Sequence, residues 1–161
     1  MKKSLLFYCI FFGVLLSIKS YSQSNIQNDV QFKMIAEGTD SPISELQIVC
    51  FNKYFNKDYL PDEFREKYNL NDKSLYKKKM LIEIFHSDKE KNGLDKIELI
   101  GIKESESTLE IKYNTINSNL KNDDKELSPF LIVQIPKSKK EIKFIVNGVE
   151  LGKTSEAYID N

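Results

Sequence analysis

The spacing of apolar positions divides the chain into three parts. Leu5 to Leu16 is one apolar stretch interrupted only by Gly13, preceded by Met1-Lys2-Lys3 and followed by Ser20-Tyr21-Ser22. A short positive start, an apolar core and small residues at the −3 and −1 positions of a cut before Gln23 predict an export signal over residues 1–22. A membrane-spanning helix wants about 20 apolar residues, and here Ser17 and Lys19 interrupt the run first. Contact with a membrane is therefore expected only through a signal left uncleaved. Cys9 lies within the apolar core behind bulky residues, which does not fit a lipid-attachment cysteine.

Residues 23–29 are polar and read as a disordered leader. Val30 to Ile35 alternates weakly and predicts a first strand, and Gly38-Thr39-Asp40-Ser41-Pro42 is a dense turn signal. Leu46 to Phe51 predicts a second strand. From Asn52 to Leu70 the period changes. Tyr54, Phe55, Tyr59, Phe64 and Tyr68 fall at spacings of four to five, which predicts one or two short helical turns, with Pro61 admissible only near a helix start.

The second half has a clear strand period. Met80, Ile82 and Ile84 alternate with Leu81, Glu83 and Phe85, and Ile97 to Ile100 follows. Leu109, Ile111 and Tyr113 alternate with Glu110 and Lys112, the pattern of a half-buried strand. Phe130 to Ile135 is almost continuously apolar, which predicts a central strand covered on both faces. Ile142, Phe144 and Val146 face Val149 and Leu151 across Asn147-Gly148. That dipeptide between apolar runs predicts a type I′ hairpin, because the turn needs positive φ at both central positions. Residues 114–127 are polar and read as an exposed loop. The fold expected is mainly β: a small antiparallel β-sandwich or partial barrel over residues 30–151, with one or two short helices in its N-terminal half and a flexible tail at 152–161.

Charge and composition then narrow the partners. The chain has 24 basic and 24 acidic residues, but Lys2, Lys3 and Lys19 fall within the signal, so 21 basic residues face 24 acidic ones afterwards, a net of −3. Such a product has no long-range field to attract nucleic acid or an anionic membrane surface. Cys50 would be the one cysteine left after cleavage, so no internal disulfide is expected, and its apolar run Ile48 to Phe51 suggests a buried thiol.

Candidate chemistry is sparse. His86 is the single histidine, at the end of a predicted strand, where it is expected to face water. A Cys50–His86 thiol dyad would need an exposed, electropositive niche, and no Gly-x-Ser-x-Gly elbow is present. Asp88, Glu90, Asn92 and Gly93 copy positions 1, 3, 5 and 6 of a calcium loop, but position 12 is Leu99 instead of a bidentate Glu and position 8 is Asp95 instead of an apolar residue. The segment reads as a turn with Asn92-Gly93 supplying positive φ. One histidine and one cysteine do not make a zinc site, and no glycine pattern matches a phosphate loop. The lysines at 77–79 and at 137, 139 and 140 read as solvated strand flanks. No catalytic residue, metal ligand or cofactor is expected.

Several of these segments together resemble the protease-complex subunit PrcB family. The stretch Leu75-Tyr76-Lys77-Lys78-Lys79-Met80-Leu81-Ile82-Glu83-Ile84-Phe85 is similar to its opening strand. Asn92-Gly93 and Ile97 to Ile102 stand where a glycine-containing turn and second strand follow. Ser128-Pro129-Phe130-Leu131-Ile132-Val133-Gln134-Ile135-Pro136-Lys137 resembles the family's Ser/Thr-Pro-aromatic segment. The resemblance spans residues 30–147 and is clearest over 75–147. The chain departs from the family where Asn92-Gly93-Leu94 replaces Thr-Gly-Gly-Tyr, and where Ser74-Leu75 replaces an acidic-aromatic lead. The resemblance implies an exported accessory subunit of a periplasmic or outer-surface protease, not a protease itself, with partner contacts expected at Asn92, Gly93, Leu94, Ser128 and Pro129. A direct protease inhibitor presenting residues 86–95 or 114–128 is the first alternative. A ligand-binding β-domain, its ten phenylalanines and eight tyrosines lining a pocket, is the second.

Overall fold

Burying a nearly continuous apolar strand requires cover on both of its faces, and the chain provides it with three layers. The computed structural model describes residues 27–43, 47–51, 56–86, 94–117 and 127–151; of the strand at 47–51 only the backbone is described. Nine strands occur among these residues: β1 (Asn28–Asp29), β2 (Lys33–Gly38), β3 (Gln47–Phe51), β4 (Lys79–Phe85), β5 (Lys96–Glu104), β6 (Thr108–Ile116), β7 (Phe130–Pro136), β8 (Glu141–Val146) and β9 (Val149–Glu150). One sheet has the order β1-β5-β6-β8-β9 and the other the order β2-β7-β4-β3. Between β3 and β4 a helical layer holds 3₁₀ turns at Asn56–Asp58 and Lys73–Tyr76 and the helix α1 at Asp62–Lys67.

The fold is thus the expected β-sandwich with short helices in its N-terminal half, and it does not close into a barrel. One pair departs from the antiparallel pattern: β6 and β8 run parallel, Leu109 beside Ile142 and Tyr113 beside Val146. Parallel neighbours need a crossover, and here β7 of the other sheet supplies the return. Asn28 and Asp29, expected in the disordered leader, instead form β1 against Glu104 and Lys103 of β5. The first strand core lies later than its weak alternation suggested, at Lys33–Gly38, and β6 extends into the expected loop as far as Ile116. The expected signal, residues 1–22, and the expected tail, 152–161, lie outside the described residues.

Successive side chains of a strand point to opposite faces, and β4 and β7 are buried on both. Met80, Ile82 and Ile84 of β4 and Leu131, Val133 and Ile135 of β7 pack toward Ile97, Ile102, Leu109, Ile111, Tyr113, Phe144 and Val146 of the five-stranded sheet. Leu81 and Phe85 of β4 and Phe130 and Ile132 of β7 turn the other way, onto Leu60, Phe64, Leu70 and Tyr76 of the helical layer. Each such side chain contributes about 1.5–3 kcal/mol when fully buried, so β4 and β7 gain from both cores. An aromatic group fixes the second core: Phe64 meets Phe130 edge-on at 5.0 Å between centroids, Tyr68 meets Phe130 likewise at 5.0 Å, and Phe85 stacks on Phe130 at 6.3 Å.

Polar groups tie the helical layer down. Pro61 sits just before α1, where its missing N–H costs nothing. Arg65 is buried; its Nε donates to Leu60 O, its Nη1 to Asn71 and its Nη2 to Asp62. Gln134 Nε2 donates to Leu75 O at 2.8 Å. Asp40, just past β2, accepts from the Tyr68 hydroxyl at 2.8 Å and from Lys67, and the Lys67 contact holds its carboxyl below the usual range.

Two glycines separate close approach from open space. A Cβ on Gly38 would stand 2.8 Å from Phe130 Cε1 and 2.9 Å from Asp40 Oδ1, whereas one on Gly101 would meet nothing within 4 Å. Gly38→Ala should cost about 1–3 kcal/mol by forcing Phe130 out of the aromatic group. Gly101→Ala should stay within about 0.5 kcal/mol of the parent. Paired urea denaturation curves check both.

Candidate functional site

Strand direction collects the longer connections at one end of the sandwich. β2 ends at Gly38 beside Phe130, and β3 begins at Gln47 beside Phe85. β4 ends at Phe85 where β7 begins, while β5 begins at Lys96 opposite Ile116, the end of β6. The connections 39–46, 86–95 and 117–129, with the 147–148 turn, therefore all leave the same end. The other end carries the short links 105–107 and 137–140 and the chain that enters and leaves the helical layer. The two sheets meet at the loop-bearing end, where the Tyr113 hydroxyl makes a long contact of 3.5 Å with His86 Nδ1.

His86 is half-buried, not the water-facing residue expected. Its backbone N–H donates to Pro129 O at 3.1 Å, and its ring meets Tyr113 edge-on with centroids 6.2 Å apart. Tyr113 is fully buried, and desolvation pushes its hydroxyl well above the ordinary range, so it stays protonated. Cys50 stands in β3 in register with Ile82, away from His86, which follows the opposite end of the β3–β4 pair. A thiol dyad between them has no support in this register.

The residues expected to meet a partner divide. Asn92 and Gly93 lie outside the described residues, as do Asp88 and Glu90 of the partial calcium-loop pattern. Leu94 is half-buried at the start of the chain leading into β5, and Asp95 N–H donates to Ile116 O at 3.0 Å. Ser128 and Pro129 belong to the frame. Ser128 Oγ donates to Ile43 O at 2.9 Å, its N–H donates to Thr39 O, and its carbonyl accepts from Ser41 N–H. Pro129 is buried. A Ser-Pro pair entering a doubly covered strand must satisfy its backbone groups locally, and here the 39–43 segment does so for Ser128 and the His86 N–H for Pro129. The two residues brace the end, Pro129 buried and Ser128 half-buried.

Sequence reading missed the hairpin's second task. Asn147 and Gly148 have φ of 51° and 81°, the expected turn. In addition Asn147 Oδ1 accepts from Thr115 N–H at 3.0 Å, and Nδ2 donates to Thr115 Oγ1 at 2.9 Å, which pins the turn to the end of β6. The signal was present, since Asn is favoured over Gly when a side-chain bond is also required.

Two other concavities are polar. One, about 420 Å³, lies between β2 and the 69–75 segment and is lined by Lys33, Met34, Asp72, Lys79 and Gln134 among others. The other, about 460 Å³, is lined by charged residues of the short links at the opposite end. Among the described residues no group of three or more His, Cys, Asp or Glu is placed to hold a metal ion, and no helix is long and apolar enough to cross a membrane.

Asn147→Ala should destabilise by about 1–2 kcal/mol, combining two lost hydrogen bonds with a left-handed residue that now has no local bond. Asn147→Gly should lose roughly half as much, because its backbone is free of that strain. Thermal melts of both variants separate the contributions.

Comparison with protein-family models, with curated proteins and with solved structures finds no match.

Proposed function

We propose that the chain is an exported, non-enzymatic protein-binding module that engages its partner through the loop-bearing end of the sandwich. The observation that supports this is the grouping of the 39–46, 86–95 and 117–129 connections on one rigid platform. Binding residues concentrate on loops held by a scaffold because a loop can vary while the frame stays fixed. The space between the two sheets is filled by packed side chains, and the 420 Å³ concavity between β2 and the helical layer is lined largely by polar residues, which favours this end over an apolar ligand pocket. The resemblance of residues 75–147 to the PrcB family suggests the partner class: an exported protease, with this chain as an accessory or assembly subunit in the periplasm or at the outer surface. No cofactor enters this reading.

Affinity capture with residues 23–161 from the native envelope should recover a protease. Leu94→Arg and Asn117→Arg, at the loop-bearing end, should reduce that recovery at least tenfold. Ser107→Arg and Lys139→Glu, at the opposite end, should leave it intact. Equal loss from both ends, or no protease recovered by the parent chain, would remove the proposal. The captured protease should keep its turnover when the purified chain is added. Stoichiometric inhibition would favour the inhibitor reading instead.

A further inference from the structure

Glu83 lies in the middle of β4 on the face toward the helical layer, and it is 1 % exposed. Leu81 and Phe85 flank it on that face, Ile132 of β7 stands beside it, and Val49 of β3 holds the other register position. Asn56, the first residue of the first 3₁₀ turn, is fully buried above it and donates Nδ2–H to Glu83 Oε1 at 2.8 Å. The other end of the same amide is unmatched: Asn56 Oδ1 is buried with no hydrogen-bond donor.

An ionised carboxylate here would leave two defects side by side. A carboxylate is acceptor-only, so it could give nothing to Asn56 Oδ1, and its charge would lie in an apolar layer with no counter-ion among the described residues. One proton removes both defects. A neutral carboxyl is a donor and an acceptor at once, the complement of a primary amide, and the two can close a ring of two hydrogen bonds. We propose that Glu83 keeps its proton in the folded protein at neutral pH and donates it to Asn56 Oδ1, forming an acid–amide clasp that docks the helical layer on the four-stranded sheet and opens when the carboxyl ionises.

Among the described residues, the charged groups of the packed layers do not compensate Glu83; Lys57 and Asp58, beside Asn56 on its own turn, are exposed. Arg65, the buried cation of the helical layer, bonds Leu60 O, Asn71 and Asp62. Lys67 and Tyr68 bond Asp40, and the Tyr76 hydroxyl donates to Leu70 O. From β7 the same face presents Phe130, Ile132 and Gln134, none of them charged, and β4 adds Lys79 only at its exposed start. Burial pushes the Glu83 carboxyl up to about 8, with the Asn56 bond pulling weakly the other way. Between the ordinary 4.5 and about 8 the folded chain therefore holds a proton that the unfolded chain has released. Stability is greatest below this window, falls as pH rises through it and levels off above it.

A carbon-detected NMR titration of the Glu83 carboxyl in the parent chain should give a midpoint several pH units above an ordinary glutamate. A midpoint at or below the ordinary value would overturn the proposal, and this measurement needs no variant. Glu83→Gln copies the protonated acid, since its amide can both donate to and accept from Asn56. It should match the parent's stability at pH 5 and exceed it at pH 9. It should also lack the parent's loss in folding constant across the window, which approaches roughly tenfold per pH unit. A Glu83→Gln curve parallel to and below the parent's at every pH would also overturn it. In the parent at pH 9, the Leu60 and Leu70 amides should exchange faster than intrinsic base catalysis explains, while those of Ile111 and Tyr113 should not. Equal acceleration at all four would mean global unfolding and would remove the clasp.

Discussion

Double-sided burial of the β4–β7 pair is the constraint from which the rest of the molecule follows. These two strands pair over their whole lengths, Lys79 beside Pro136 through to Phe85 beside Phe130. A strand buried on both faces cannot slip by one residue without exchanging its two side-chain sets. Here those sets are not equivalent. The face toward the other sheet is made of aliphatic residues, while the face toward the helical layer carries Phe85, Phe130, Gln134 and Glu83. Register is therefore fixed by shape and polarity together, and the edge strands β2 and β3 take their positions from it. β2 also carries a bulge between Met34 and Ala36, which bends this edge and makes it a poorer template for pairing with another chain.

The helical layer exists because that second face needs cover, and it is held by polar contacts at its ends as much as by its apolar middle. α1 has only six residues, too short to be stable alone. Its persistence depends on Phe64 in the aromatic group, on the guanidinium of Arg65 bridging Leu60 O, Asp62 and Asn71, and on Tyr68 and Lys67 meeting Asp40 beyond β2. A layer attached in this way can loosen as a unit while the sandwich beneath it stays paired, since the interface between the two sheets shares no side chains with it. Local opening of this kind is expected where a segment has its own small core and few backbone bonds to the rest.

Much of this was legible in the sequence, for a reason that also marks its limit. Period and turn chemistry are local properties. They located β4 through β8, the Asn147-Gly148 hairpin and the helical turns around Pro61. The nearly continuous apolar run at Phe130–Ile135, broken only by Gln134, correctly implied cover on both faces. What periodicity could not supply was the identity of that cover. Glu83 interrupts an otherwise apolar strand and, read alone, marks a solvent-facing position. Only the long-range meeting with Asn56, 27 residues earlier, makes it interior. The parallel β6–β8 pair was equally hidden, since nothing in either strand says that β7 leaves for the opposite sheet between them. The partial burial of His86 and the burial of Pro129 were hidden for a related reason: the His86 N–H meets the Pro129 carbonyl and the His86 ring meets Tyr113 of the other sheet, contacts that local sequence does not encode.

The candidate site carries the same division between local and long-range determinants. The platform is built from interactions that fix its geometry: Tyr113 with His86 across the sheets, Ser128 with the 39–43 segment, Asn147 with Thr115. Each is made by a residue at the margin of a connection, so each connection is anchored at its root. Side chains farther along those connections can then differ without disturbing strand register, because the register is set in the β4–β7 pair and its two cores. On the proposed protein-binding reading, this separation of a doubly buried frame from anchored connections is what recognition by shape would use. It also accounts for the opposite end, where the short 105–107 and 137–140 links are spanned by Lys140 donating to Glu104 and to Ser105 O, both at 2.7 Å. Links so short and so internally bonded offer little surface for adaptation, so the proposed recognition falls to the end that carries the longer connections.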